Sequence, residues 1–239
     1  PLVTEEPEVT EEPAAGLTCE EPIKVGFITD ITGPLAIYGV MMQRSFMLGM
    51  EYATGSEGSA GPVFDFTKTQ ENTFKIDNCE IQVFVRDDAS LPENTTTVAN
   101  ELIDIQNVDF LVGTASSSTT AVLQGIALAN EVPLIVAPAA ANDITGKDFN
   151  EFTFRTSRNN YQDAINEAKA LTAQYTKFIQ IASDNAFGHG SAEAFRDAVT
   201  LEGGTFVADD IFAPADTTDF TPYMEQIAAS GAEAYIVTW

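Results

Sequence analysis

From Ile23 onward, short apolar runs alternate with helix-length amphipathic segments, and this alternation leaves few folds open. Ile23–Thr29 (IKVGFIT) reads as a buried strand, and Gly33-Pro34 breaks the chain before a helix over 38–53. Residues 54–79 read as a loop with a small β excursion. A second strand is predicted over 81–86, then a helix over 92–106 with Pro92 in its first turn. A strand over 110–112, a helix over 118–130 and a strand over 133–136 follow. After a polar passage the pattern resumes: a helix over 161–175, a strand over 178–182 and a helix over 191–201. A strand over 205–211, a helix over 220–230 and an apolar run over 234–239 end it. Strands separated by helices imply parallel sheets with helices on both faces.

The fold class expected is therefore α/β, with two doubly wound parallel-sheet (Rossmann-like) lobes. Residues 1–21 form an acidic Pro/Glu-rich spacer, 22–141 the N-terminal lobe, 142–160 the crossover and hinge, and 161–239 an incomplete second lobe. The first 18 residues carry five glutamates, whose repulsion together with proline stiffness favours an extended tether. The chain begins as though already processed or trimmed. No apolar run reaches the roughly 18–20 residues of a membrane span.

Composition narrows the partners. There are 36 acidic side chains against 11 basic, a formal net charge of −25. Such a surface repels phosphate backbones and anionic lipid, so neither nucleic acid nor an anionic membrane surface is expected as a partner. Cys19 lies four residues before the first strand and Cys79 two before the second. If those strands are parallel neighbours, both thiols stand at the same end of one sheet. A disulfide there suits an exported protein; the plainer alternative is two unpaired thiols. No CxxC or histidine cluster points to a metal.

Open parallel sheets bind ligands beyond the carboxyl ends of their strands. The residues after the third strand, Ser116, Ser117, Ser118 and Thr119, fall at a strand-to-helix junction, where free N–H groups and the helix dipole favour an anion. Ordinary N-capping accounts for the same residues equally well. Gly188-His189-Gly190-Ser191 lacks the third glycine or Walker lysine of a phosphate loop. His189, the only histidine, stands beside no GxSxG elbow and reads as an exposed loop residue. Asp87-Asp88 reads as capping or solvated carboxylates, and Asn94-Thr95-Thr96 as a sequon at a helix start.

Five segments occur in characteristic order: IKVGFITDITGPLAIYG, VDFLVGTASSSTTAV, VPLIVAPAAANDITG, FTFRTSRNNYQDA and ADTTDFTPYMEQIAASGAEAYIVT. Together they resemble the type I periplasmic binding proteins, in particular the branched-chain amino acid (Leu/Ile/Val-type) substrate-binding proteins of ABC transporters. The resemblance covers about residues 22–239. It implies two lobes closing on a small amino acid, amide or carboxylate, with the C-terminal part of the fold missing from this chain. It maps ligand contacts onto Tyr38, Ser116, Ser117, Thr119, Ala139, Ala140, Ala141, Asn160 and Phe187. Relatives often carry threonine where Ala141 stands and an acidic residue where Asn160 stands. One hydroxyl contact and one counter-charge for an ammonium are thus lacking, although Asp163, Asp184 or a residue beyond Trp239 could supply the charge. The function implied is extracytoplasmic solute capture for ABC-transporter membrane subunits. It would be periplasmic or extracellular, with an upstream lipid anchor as a membrane tether, and without catalysis, cofactor or metal. A ligand-sensing ectodomain and a surface-assembly protein are the alternatives on the same fold.

Overall fold

The computed structural model describes residues 16–61 and 64–239. The first part of the expected spacer lies outside that range. Residues 16–21 do not behave as a free tether. Leu17 donates its N–H to Asp77 Oδ2 at 2.9 Å, Thr18 bridges to Asn78, and Cys19 is disulfide-bonded to Cys79.

The first sheet is built by β1 (Ile23–Thr29), β2 (Gln70–Ile76), β3 (Cys79–Asp87), β4 (Phe110–Val112), β5 (Leu134–Val136) and β6 (Thr153–Arg155). Its order is β2-β3-β1-β4-β5-β6, and only β2 runs antiparallel to its neighbour. The expected small β excursion is β2, an edge strand in a hairpin with β3. Residues 142–160 contribute β6 to this sheet through its parallel pairing with β5, so the sheet extends past residue 141. Helices α1 (Ala36–Thr54), α2 (Pro92–Asp104) and α3 (Ser117–Ala129) cover it. Alternate side chains of β1 enter opposite cores. Val25 and Phe27 pack with Met42 and Met47 of α1, whereas Ile28 packs with Leu102 of α2 and Leu123 of α3.

The second sheet has β7 (Lys177–Ser183) between β10 (Ala234–Thr238) on one edge and β8 (Thr205–Phe206) followed by β9 (Ile211–Ala213) on the other, all parallel. The single strand expected over 205–211 is thus two short ones. The interruption places Asp210 against Gln180 of β7 and Arg196. Phe178 faces α4 (Asn160–Thr172) and α5 (Ala186–Leu201), while Ile179 and Ile181 face α6 (Thr221–Ala229). Both sheets are therefore wound on both faces. Helix α5 starts five residues before the expected position, because the Asn185 side chain caps it by accepting the Gly188 N–H at 3.0 Å.

One ion pair ties β3 to α2: Arg86 Nε and Nη2 donate to Glu101 at 2.7 and 3.0 Å. The guanidinium holds the Glu101 carboxyl below its ordinary value against the opposing effect of burial. A carboxylate with a depressed folded pKa adds stability above its unfolded pKa, near about 4.3, and loses it as pH falls through the folded value. Glu101→Gln is therefore expected to lower the urea midpoint at neutral pH, and the gap to wild type should close on acidification below that range. A gap constant with pH would exclude this linkage.

Candidate functional site

All strands of the second sheet and all but β2 of the first are parallel, so the turns after them gather at each sheet's carboxyl edge. After β1 and β3 these turns are stapled by carboxylates. Asp30 accepts from Gly33 N, Leu35 N and Ser90 Oγ at 2.6–2.8 Å. Asp87 accepts from Ile31 N, Ala89 N and Thr32 Oγ1, and Asp88 from Ser90 N and Thr95 Oγ1. Burial raises the Asp88 carboxyl above its ordinary value. Burial also pushes Asp87 upward, but its hydrogen bonds from Thr32, Ile31 and Ala89 win and hold it below. These acids are loop staples. Among the described residues, no group of three or more His, Cys, Asp or Glu is arranged for a metal ion, and no helix is long and apolar enough to cross a membrane.

The hydroxyl run divides by role. Thr119 is fully buried; its hydroxyl meets Thr114 Oγ1 at 2.6 Å and donates to Ser116 O at 3.1 Å. It locks the turn into α3. Ser116 occupies the N-cap position, but its hydroxyl makes no capping bond. Ser117, 3% exposed, accepts the Ala141 N–H on its Oγ at 3.2 Å. A serine hydroxyl carries one proton, and no acceptor for it is present among the described residues. That O–H is available as a donor beside the free N–H groups of the first turn of α3.

Ala139, Ala140 and Ala141 are buried behind it. Ala140 O accepts the Asn160 N–H at 2.8 Å, and Ala141 O accepts from Arg155 Nη1 at 2.7 Å. Asn160, 1% exposed, donates its Nδ2 to Phe187 O at 3.1 Å, and its Oδ1 has no partner among the described residues. Asn142, in the short 3-10 turn Asn142–Thr145, accepts the Tyr161 N–H at 3.1 Å and reaches Gly190 O at 3.4 Å. The structure thus brings Ser117, Ala140, Ala141, Asn160 and Phe187 to one seam between the sheets. Tyr38 sits on α1, 52% exposed, with no side-chain hydrogen bond to them.

A cavity of about 440 Å³ flanks the seam between α3, the 3-10 turn, α5 and β9. Its walls include Ser117 and Ala141, but also Gln124, Asp148, His189 and Glu193, none of them among the ligand contacts implied by the resemblance. Gln124 follows Ser117 by two helical turns on one face of α3, a spacing legible in the sequence. The meeting of Asn142 with Gly190 carries no sequence signal. His189 lies within α5, not in a loop; its Nε2 contacts Asp184 Oδ1 at 2.7 Å and its ring stacks on Phe212 at 3.9 Å. Gly188 and Gly190 are likewise helical, so no phosphate loop forms there.

Asp163 and Asp184, two carboxylates expected from the sequence to be able to counter a ligand ammonium, are engaged. Asp163 pairs with Arg158 at 3.2 Å and Asp184 with His189. Arg155 has no carboxylate within ion-pair distance among the described residues, and burial together with the nearby Arg158 charge holds it below its ordinary value. It remains charged and adds positive potential behind Ala141.

A family model described as "Periplasmic binding protein" matches residues 22–239. A Leu/Ile/Val-binding protein homolog of Brucella abortus is 28% identical over 222 residues, covering 92% of this chain and 51% of the relative. The chain spans about half the length of the curated relatives it matches. The crystal structure of an ABC-type branched-chain amino acid transporter protein from Rhodopseudomonas palustris matches with TM-score 0.64 and 31% identity, covering 90% of this chain and 54% of that one. An R. palustris solute-binding protein in complex with 4-hydroxybenzoate matches with TM-score 0.73 and 26% identity, over 92% of this chain and 54% of that one.

Proposed function

The chain belongs to the periplasmic binding protein family, and from this we propose that it is part of an extracytoplasmic solute-binding protein that captures a small carboxylic acid between its two sheets for an ABC transporter. The observation that carries the reading is Ser117. Its oxygen is held by the Ala141 N–H while its proton meets no acceptor among the described residues, at a helix N-terminus that favours an anion. Arg155 behind Ala141 adds positive charge on the same side.

An acid without an ammonium group suits the site better than an α-amino acid. Asn160 is neutral, and Asp163 and Asp184 are already paired. The relative bound to 4-hydroxybenzoate supports an aromatic acid as the chemical class. In the proposed cycle the solute stabilises the closed arrangement through contacts that only that arrangement makes, and no covalent bond changes. Placement outside the cytoplasm accords with the family and with the Cys19–Cys79 disulfide. Attachment through a lipid anchor upstream of residue 1, and delivery to membrane subunits, belong to the same proposal.

Titration calorimetry of 4-hydroxybenzoate and leucine against wild type and Ser117→Ala tests it. The aromatic acid is expected to bind more tightly than leucine. Loss of a hydrogen bond to a charged group, worth roughly 1.5–3 kcal/mol, should weaken it about tenfold or more in the variant. The variant also leaves the Ala141 N–H without its acceptor, so binding is measured well below both melting temperatures. Equal affinity for the acid in both proteins would remove Ser117 from the site.

A further inference from the structure

We infer that His189 is a specificity-determining residue of the carboxylate site, an acceptor that selects aromatic acids carrying a hydroxyl on the ring; this rests on the capture of an aromatic acid proposed above. His189 and Phe212 line the same cavity as Ser117 and Ala141. The imidazole is held twice. Its Nε2 meets Asp184 Oδ1 at 2.7 Å, and its ring stacks on Phe212 with centroids 3.9 Å apart and planes inclined by 27°. A carboxylate only accepts, so Nε2 carries the proton of that bond. In the neutral ring Nδ1 is then an acceptor, and it has no hydrogen-bond partner among the described residues. The bond and the stack fix the orientation of a half-exposed side chain before a ligand arrives, which lowers the entropy cost of binding to it.

The surrounding charges sort the two ends of such a ligand. At one end the N-terminus of α3 and Arg155 behind Ala141 favour the carboxylate. Further along the cavity the sign reverses. Asp148 is bonded through its carbonyl to Gln124, two turns along α3 from Ser117, and Glu193 lies one turn beyond His189 on α5. Arg196, which also lines the cavity, is committed to Asp210. A second carboxylate is therefore repelled there, whereas an uncharged hydroxyl donates to Nδ1. Phe212, Ala121 and Ile144 supply apolar wall for the ring between the two ends. The cavity of about 440 Å³ accommodates one aromatic ring with a small group at each end.

Benzoate, 4-hydroxybenzoate and terephthalate are titrated calorimetrically into the 239-residue chain and into His189→Phe and Asp184→Ala, at about pH 8, where an ordinary imidazole is neutral. Wild type should take 4-hydroxybenzoate roughly fivefold more tightly than benzoate, the worth of one neutral hydrogen bond, and terephthalate more weakly than either. His189→Phe keeps a ring to stack on Phe212 but has no Nδ1, and should bring the ratio between the first two acids to about one. Asp184→Ala frees the imidazole and should lower the ratio part of the way. A merely structural role would weaken both acids alike and leave the ratio unmoved. Both side chains are about half exposed, so the variants are expected to fold, and the wild-type order of the three acids is a check independent of them. A ratio unchanged in His189→Phe, or a wild type that prefers benzoate or terephthalate, would overturn the role of His189 and leave carboxylate capture standing. Failure of wild type to bind any of the three acids would overturn both.

Discussion

Gly188→Ala is expected to destabilise the second sheet by about 2 kcal/mol, although alanine is the better helix former. A Cβ at Gly188 would lie 2.8 Å from the Ser183 carbonyl carbon and closer still to its oxygen. The first turn of α5 rests directly on the end of β7, and backbone cannot yield as the tip of a flexible side chain can. Propensity favours alanine by about 1 kcal/mol, whereas overpacking against a fixed neighbour costs roughly 1–3 kcal/mol and more when backbone must move. The steric cost wins. The first sheet repeats the device: a Cβ at Gly39 would lie 2.6 Å from the Asp30 carbonyl carbon just beyond β1. Gly125→Ala is the internal control, since nothing lies within 4 Å of its added carbon. Urea denaturation should show Gly39→Ala and Gly188→Ala with markedly lower midpoints and Gly125→Ala with one equal to or above wild type. A neutral Gly188→Ala would refute the close approach. That variant should also weaken solute binding, because the shift withdraws Phe187 and Gly190 from the seam.

Removing the Cys19–Cys79 disulfide is expected to cost about 4 kcal/mol on the chain-entropy model. The bond closes a separation of 60 residues that contains β1, α1 and β2, with the two Cα atoms 4.9 Å apart. It joins the lead-in to β1 with the first residue of β3, adjacent parallel strands in register from Ile23 with Ile81 to Thr29 with Asp87. The bond is thus anchored at the centre of the first sheet, and its loss loosens more than a terminus. Cys19→Ser with Cys79→Ser should melt well below the oxidised wild type, and dithiothreitol should lower the wild type toward the variant. Insensitivity of the wild type to reductant would count against a stabilising role.

The alternation of periods was enough to read every helix and the parallel architecture, because burial on both faces of a strand and one face of a helix writes distinct patterns. The start of α5 was misplaced since Gly188 and Gly190 resemble loop formers, and their true reason, room for the Ser183 carbonyl and for Asn160, is tertiary. The break between β8 and β9 has the same origin, as Asp210 is drawn toward Gln180 and Arg196, partners distant in sequence. The meeting of Ser117 with the 139–141 segment is legible from the rule that turns after parallel strands gather at one edge of the sheet. The inward turn of Thr119 is not, because helix geometry alone makes it equivalent to its neighbours. Only the packing of Thr114 and Thr120 distinguishes it.

The four apolar clusters never mix residues of the two sheets: two belong wholly to the first and two to the second. What joins the halves at the seam is amide chemistry, the N–H groups of Asn160 and Tyr161 and the side chain of Asn142. Water replaces such bonds at a net loss of roughly 1 kcal/mol each, and separation exposes little oily surface. Parting at the seam therefore costs on the order of a few kcal/mol, drawn from polar bonds and not from the apolar clusters. In the proposed capture cycle, where the balance between parting and rejoining rests is set by what occupies the seam, not by the fold of either half.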